Sequence, residues 1–293
     1  MSGGGICTKG LPDGYQWFQD QIAGHHPSVI KNGKREIGLL KKPGSNEILK
    51  PKQDAERGEK EVAIYKLLAS PTSSDGLRHE ESEFSSCHLE DIDKLRHLTP
   101  KFLGIRPLFV DGEDRDFLVL DDVTSYYHRP AILDLKMGQV TYDPLAKPDK
   151  IEKERIKYPP QALVGCRILG YRIHLEKDKV EVRDKKWGMS FDENTIQNGL
   201  LEFFSARCED DKQVIKEAIE ALKDIKAFFT TQKSFQFFAS SLLFVYEVDK
   251  NLPINLRIVM IDFSHAFASN NQRDEGYLFG VDNLARFLSN ISS

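Results

Sequence analysis

Two short apolar runs, EIGLLKK and EILK, flank a Pro43-Gly44-Ser45-Asn46 cluster. Such a cluster supplies turn conformations, so the pattern predicts a β-hairpin over 36–50. Val62, Tyr65 and Leu68 then recur three apart with Ile64 beside them under a charged face, which predicts a helix over 57–68. Over 71–93 the apolar period fails and Ser and acidic residues dominate, which predicts a flexible surface insertion. Strands are expected over 102–108 and 117–120, followed by a polar connection through Asp121, Asp122, Val123 and Thr124. The stretch PAILDLKMG over 130–138 is apolar except for Asp134 and Lys136, which lie two apart and share one face of a strand. Helices over 192–204, with Asp192 as N-cap, and over 211–231 are expected next. Strands over 241–247 and 257–262 and a closing helix over 277–291 complete the chain. Short strands early and strands among longer helices later predict an α+β protein of two lobes, 20–123 and 124–293, after a disordered tail over 1–19.

Composition changes this picture little, and charge changes it more. The 293 residues are 40% hydrophobic and 29% charged, which suits a globular chain with a buried core. Four cysteines with no CxxC spacing fit a reducing compartment better than a disulfide framework. The most apolar stretch, 235–246, is too short to cross a membrane, and the first ten residues signal neither secretion nor N-myristoylation. Cytoplasmic residence is expected, with nuclear residence left open. The net charge of −4 argues against a broad polyanion surface such as nucleic acid requires. That mean is uneven, however. Residues 147–186 carry 12 basic and 7 acidic side chains, a net +5, against −9 on the rest.

Charges in apolar strands are costly unless paired or used, and this singles out Asp134 and Lys136. Asp262 closes a second apolar strand, IVMID, where a carboxylate is well placed to hold a hard cation such as Mg²⁺. Lys50 ends the hairpin and Glu61 follows 11 residues later on the next helix. A strand lysine held by a helix glutamate is how kinases fix the phosphates of ATP, although a solvated lysine and a surface glutamate would read the same. His265, three residues after Asp262, reads either as a ligand or as a hydrogen-bonded core histidine.

In chain order these pieces resemble a known family. Pro130, Asp134, Lys136 and Gly138 match the PxxxDxKxG signature of the inositol polyphosphate kinase family, and SSLL over 240–243 and IDF over 261–263 match its later motifs. Within the family the text is most similar to the multikinase branch, through QIAGH, RG at 57–58, DDVT, GQVTYDPLA, KYP and DEGY. The resemblance covers about 20–291. It implies a kinase-like fold, with a small N-terminal lobe built on an antiparallel sheet, a larger mixed α/β C-terminal lobe, and ATP between them. It further implies that Lys50, supported by Glu61, contacts ATP phosphates, and that backbone groups of Asp121 and Val123 meet adenine. Asp134 would meet the ribose side, Asp262 would bind Mg²⁺ with Ser241 in support, and Lys136 would reach the transferred phosphate. Lys150, Lys153, Arg172 and His265 would face the inositol phosphate, within a segment at about 147–175. No HRD-type catalytic loop is present, so no carboxylate general base is expected.

The activity implied is phosphorylation of inositol trisphosphate and tetrakisphosphate by a monomeric enzyme, with a phosphoinositide headgroup as a further acceptor. An inositol hexakisphosphate kinase is the alternative within the family, and GQVTYDPLA argues against it. A non-catalytic inositol-phosphate scaffold is the alternative outside catalysis. Retention of Lys50, Asp134, Lys136 and Asp262 together argues against that.

Overall fold

A computed structural model describes residues 10–23, 30–31, 34–70 and 83–292. Two five-stranded antiparallel sheets organise it. The first runs in the order Gln16–Trp17, Leu40–Lys41, Glu47–Pro51, Glu113–Asp121, Phe102–Val110. The second runs Val180–Arg183, Cys166–His174, Pro130–Met137, Ser241–Glu247, Arg257–Ile261. The expected hairpin is present, with Leu40 opposite Leu49 and Lys41 opposite Ile48. The expected helix extends over Ala55–Ala69.

Alternation in the signature strand Pro130–Met137 decides what faces the cleft. Ala131, Leu133, Leu135 and Met137 enter the main core, where the helices Asp211–Thr231 and Glu275–Ser292 pack against each other. Ile132, Asp134 and Lys136 therefore face the other way, and Ile132 joins a small apolar cluster with Val123, Val245 and Val259. Gly138 ends the strand at φ +95°, a conformation that disfavours any side chain, while its N–H donates to Gly165 O.

Three expectations need correction. The tail is not disordered through residue 19, because Trp17 pairs with Leu40 and is buried in a second core with Leu49 and Phe117. Burial of one indole is worth a few kcal/mol and anchors the segment. Of the expected insertion, 71–82 lie outside the described residues, but 83–93 belong to the fold. Phe84 is buried, a helix spans Leu89–His97, and the Asp91 carboxylate accepts from Ser234 Oγ at 2.6 Å. Asp192 caps a turn rather than the helix, accepting from the Asn194 and Thr195 N–H groups, and the helix starts at Ile196.

Candidate functional site

Between the sheets lies a cleft of about 1070 Å³, counting its open mouth, lined by both lobes. Ile48 and Asp121 come from the first sheet, Ile132, Leu243 and Ile261 from the second, and Val123 from the connection between them. That connection is a single 3-10 turn, Val123–Tyr126, capped by the Asp122 carboxylate. The Asp121 N–H donates to Lys101 O at 2.9 Å and the Asp122 N–H to Asn46 O at 2.8 Å, so both of these donors are already engaged within the protein.

Lys50, Glu61 and Asp262 form one charge network across the cleft. Lys50 Nζ lies 2.6 Å from Glu61 Oε1 and 2.5 Å from Asp262 Oδ1. Burial pulls the Lys50 ammonium down, and the Asp262 and Glu61 carboxylates more than reverse this, so its pKa is raised overall. Glu61 is fully buried and also accepts the Phe263 N–H at 3.1 Å. It therefore fixes both the lysine and the backbone beside Asp262. Phe263 packs on Tyr65, with ring centroids 5.4 Å apart. Asp262 itself adopts φ +66°, a left-handed conformation costing about 1 kcal/mol, and such strain persists where the surroundings hold it.

Asp134 is buried and its carboxyl is pushed up to about 7. Burial is the first cause and the Asp262 carboxylate the second, while Ser241, Lys136 and Lys50 oppose them. Asp134 Oδ1 and Ser241 Oγ both lack a hydrogen-bond partner of normal geometry. Ser241 pairs with Lys136 on one side and Ile261 on the other, so its hydroxyl shares the cleft face of the sheet. Lys136 Nζ donates to Ala239 O at 2.9 Å, with Ala239 at φ +57°. Burial lowers the Lys136 ammonium, against the pull of Asp262 and Asp134.

A second cluster surrounds His265. Its Nδ1 lies 2.6 Å from Asp143 Oδ2, and Lys150 Nζ lies 3.7 Å from the same oxygen. Burial and then Lys150 lower the imidazole pKa, Asp143 raises it, and Arg57 lowers it further. Arg57 can come this close because Gly58 packs on the preceding loop: a Cβ there would lie 1.9 Å from Gln53 O. Lys150 and Lys153 lie on the helix Pro148–Lys157, where Lys153 is exposed.

Arg172 does not join this cluster. It pairs with Ile132, while Arg167 pairs with Lys136, so Arg172 stands about 13 Å along the sheet from that lysine at roughly 3.3 Å per residue. It ion-pairs instead with Asp20, at 3.5 Å, beside the Asp20–His174 contact at 2.7 Å. Sequence reading missed Asp143, which lies within GQVTYDPLA, and Arg167, a charge inside the apolar strand CRILGYRIH.

Two antiparallel sheets hinged by a short turn, with an ion-paired lysine and strand-end carboxylates between them, define a two-lobed protein of kinase-like architecture. The profile of the inositol polyphosphate kinase family matches residues 117–289, more than half of the sequence, and the chain belongs to that family. Inositol polyphosphate multikinase of Homo sapiens is 30% identical over 274 residues, which span 93% of this chain and 61% of the relative. Inositol polyphosphate multikinase of Mus musculus is 32% identical over 228 residues, 78% of this chain and 52% of that protein. The chain thus spans between half and two thirds of the length of these curated relatives. Among solved structures, inositol phosphate multikinase Ipk2 of S. cerevisiae in complex with ADP and Mn²⁺ superposes with a TM-score of 0.66 at 19% identity, covering 85% of this chain and 100% of that one. That likeness bears out the two-lobed α+β fold.

Proposed function

We propose that this chain transfers the γ-phosphoryl group of ATP, with Mg²⁺, to hydroxyls of soluble inositol phosphates, beginning with inositol trisphosphate and continuing to the tetrakisphosphate, with a phosphoinositide headgroup as a further acceptor. The observation that carries the reading is the Lys50–Glu61–Asp262 network facing Asp134 across one cleft, with Lys136 two residues further along the same strand face.

The residues fit a nucleotide and a divalent cation. Asp134 Oδ1 and Ser241 Oγ are buried without well-formed hydrogen bonds, and burial and the Asp262 carboxylate oppose ionisation of Asp134. A cation shared by such carboxylates removes their repulsion. Asp262, with Asp134 and Ser241 beside it, would hold Mg²⁺, which would supply positive charge to the transferring group. Lys50 is held by Glu61 for the phosphates of the nucleotide, and the backbone at Val123 borders the apolar slot for adenine, with Asp134 on the ribose side. Lys136 is anchored by Ala239 O with its charge directed at the phosphoryl group between donor and acceptor. A loose transition state needs little deprotonation of the acceptor hydroxyl, so positioning and charge neutralisation account for most of the rate. Lys150 and Arg57 form a cationic rim suited to the acceptor phosphates beside the His265 imidazole, whose pKa they and burial lower, and Asp143 orients that imidazole so that Nε2 is directed away from it.

The test is turnover of inositol trisphosphate with ATP and Mg²⁺, with products separated by chromatography, for wild type and Lys136→Ala. Product from wild type and a loss of about 10²- to 10³-fold in kcat for Lys136→Ala are expected. Wild type that binds the acceptor and forms no product would leave a scaffold. Equal rates in both would misplace the transfer site.

A further inference from the structure

Two arginines are buried in the second lobe, and only one is satisfied. Arg207 donates to the carbonyls of Glu247, Asp249 and Leu252 and to the Asp210 carboxylate, which explains its burial as a staple of the 247–252 loop. Arg167 is buried more deeply, at 1% exposure. Its Nε has no hydrogen-bond partner, and among the described residues no carboxylate lies within ion-pair distance of its guanidinium. The acidic side chain that acts on it most is Glu154, already engaged by Lys157 at 2.8 Å and Thr141 at 3.1 Å, and Asp134 acts on it more weakly. The guanidinium instead lies 5.6 Å from the centre of the Tyr158 ring.

A guanidinium stays charged at any relevant pH, and burying one without an ion pair costs several kcal/mol. Arg167 is paired across the strands with Lys136, so both side chains emerge on the same face of the sheet. Further cations converge on it. Lys157 adds to the positive field at Lys136, and Lys157 and Arg167 together depress the Lys185 ammonium after burial has done so. Lys136 and Lys185 both feel the charges of Arg167 and Lys157, and with the buried Arg167 Nε unsatisfied this grouping suits a multiply charged oxyanion. Arginine binds such groups through two parallel hydrogen bonds.

Building on the inositol phosphate kinase reading, we propose that Arg167, flanked by Lys157 and Lys185, forms a phosphate subsite beside Lys136 that holds a second phosphate of the acceptor and selects among acceptors by its position. The shared chemistry is a phosphate monoester on an inositol ring, free or as a lipid headgroup.

The experiment compares wild type, Arg167→Met and Arg167→Lys. Binding of inositol trisphosphate is measured by calorimetry without nucleotide, binding to vesicles containing phosphatidylinositol bisphosphate forms a second arm, and thermal unfolding is followed without ligand. Arg167→Met is expected to weaken binding by about 10- to 100-fold, the scale of losing charge-assisted hydrogen bonds, with Arg167→Lys in between and the KM for ATP within about twofold of wild type. Weakening in the soluble arm alone, in the vesicle arm alone, or in both assigns the subsite to the free phosphate, the lipid headgroup, or either. Ligand-free Arg167→Met should melt at or above wild type, because methionine replaces a buried unpaired charge. Unchanged affinity in both arms overturns the subsite. So does a ligand-free Arg167→Met that melts below wild type and is restored by lysine, since that marks a structural arginine. Wild type that binds neither probe overturns the functional reading itself.

Discussion

The donor side and the acceptor side of the cleft treat buried charge in opposite ways. At Lys50 a fully buried glutamate and the Asp262 carboxylate neutralise the ammonium before any ligand arrives, and the pairs tie the first lobe to the second. At Arg167 and Lys136, one strand apart in the other lobe, two cations face one another with no ion pair between either and a carboxylate among the described residues, and Glu154, Asp134 and Asp262 act on them only through the field. Internal pairing makes the first region part of the fold, so its geometry is set in advance. Lack of pairing makes the second region costly until an anion fills it, and that cost is returned as selectivity for phosphate.

The sharpest way to break this contrast is to remove Glu61. Glu61→Ala leaves Lys50 buried against one partly exposed carboxylate and frees the Phe263 N–H, and a loss of about 3 to 5 kcal/mol in urea unfolding is expected. On the acceptor side, Glu154→Ala removes a partly exposed pair with Lys157 and should cost less than about 1 kcal/mol. Equal losses would mean that both regions are structural. Asp262→Asn comes next. It keeps the Lys50–Glu61 pair and should fold, but it removes the proposed cation ligand and the larger of the two carboxylate influences on Lys50, so kcat should fall by about 10²- to 10³-fold with the KM for inositol trisphosphate nearly unchanged.

The donor side was the more legible of the two from sequence. Asp134 stands out, as Lys136 does on the acceptor side, because a period-two strand exposes any charge that breaks its apolar run, and Glu61 lies one helix beyond Lys50. The same signal was available for Arg167 in CRILGYRIH, yet the neighbouring Arg172 carried the family expectation and drew the assignment away from it. Register separates the two arginines, and register between strands is set by tertiary pairing that a single strand does not encode. The Asp143–His265 contact joins residues 122 apart, beyond the reach of any local pattern. In the fold, long helices and strands were visible through their periods. Gln16–Trp17 is only two residues long and has no period to see, and Leu89–His97 buries Asp91 with just Ile92 and Leu95, so its apolar stripe is too thin.

The smallest expected effect tests whether Asp143 orients His265 on the acceptor side. Four influences meet at this imidazole: burial, Lys150 and Arg57 lower its pKa, and Asp143 raises it through charge and a hydrogen bond. The net value lies below the ordinary 6.5, so the folded protein holds fewer protons here than the unfolded chain once the pH drops below that point. Stability contributed by the neutral imidazole is therefore present above about pH 6.5 and lost as pH falls through it. Asp143→Asn removes the only influence that opposes this. His265 should then titrate lower still, and the loss of stability on acidification should steepen, both measurable by imidazole NMR and by unfolding at pH 5 and 8. The KM for inositol trisphosphate should rise by about tenfold, because an asparagine can accept at Nδ1 but no longer sets the charge that Lys150 balances. If His265 instead titrates higher in the variant, Asp143 is not its orienting acceptor, and the acceptor side holds its cations with no internal carboxylate to position them.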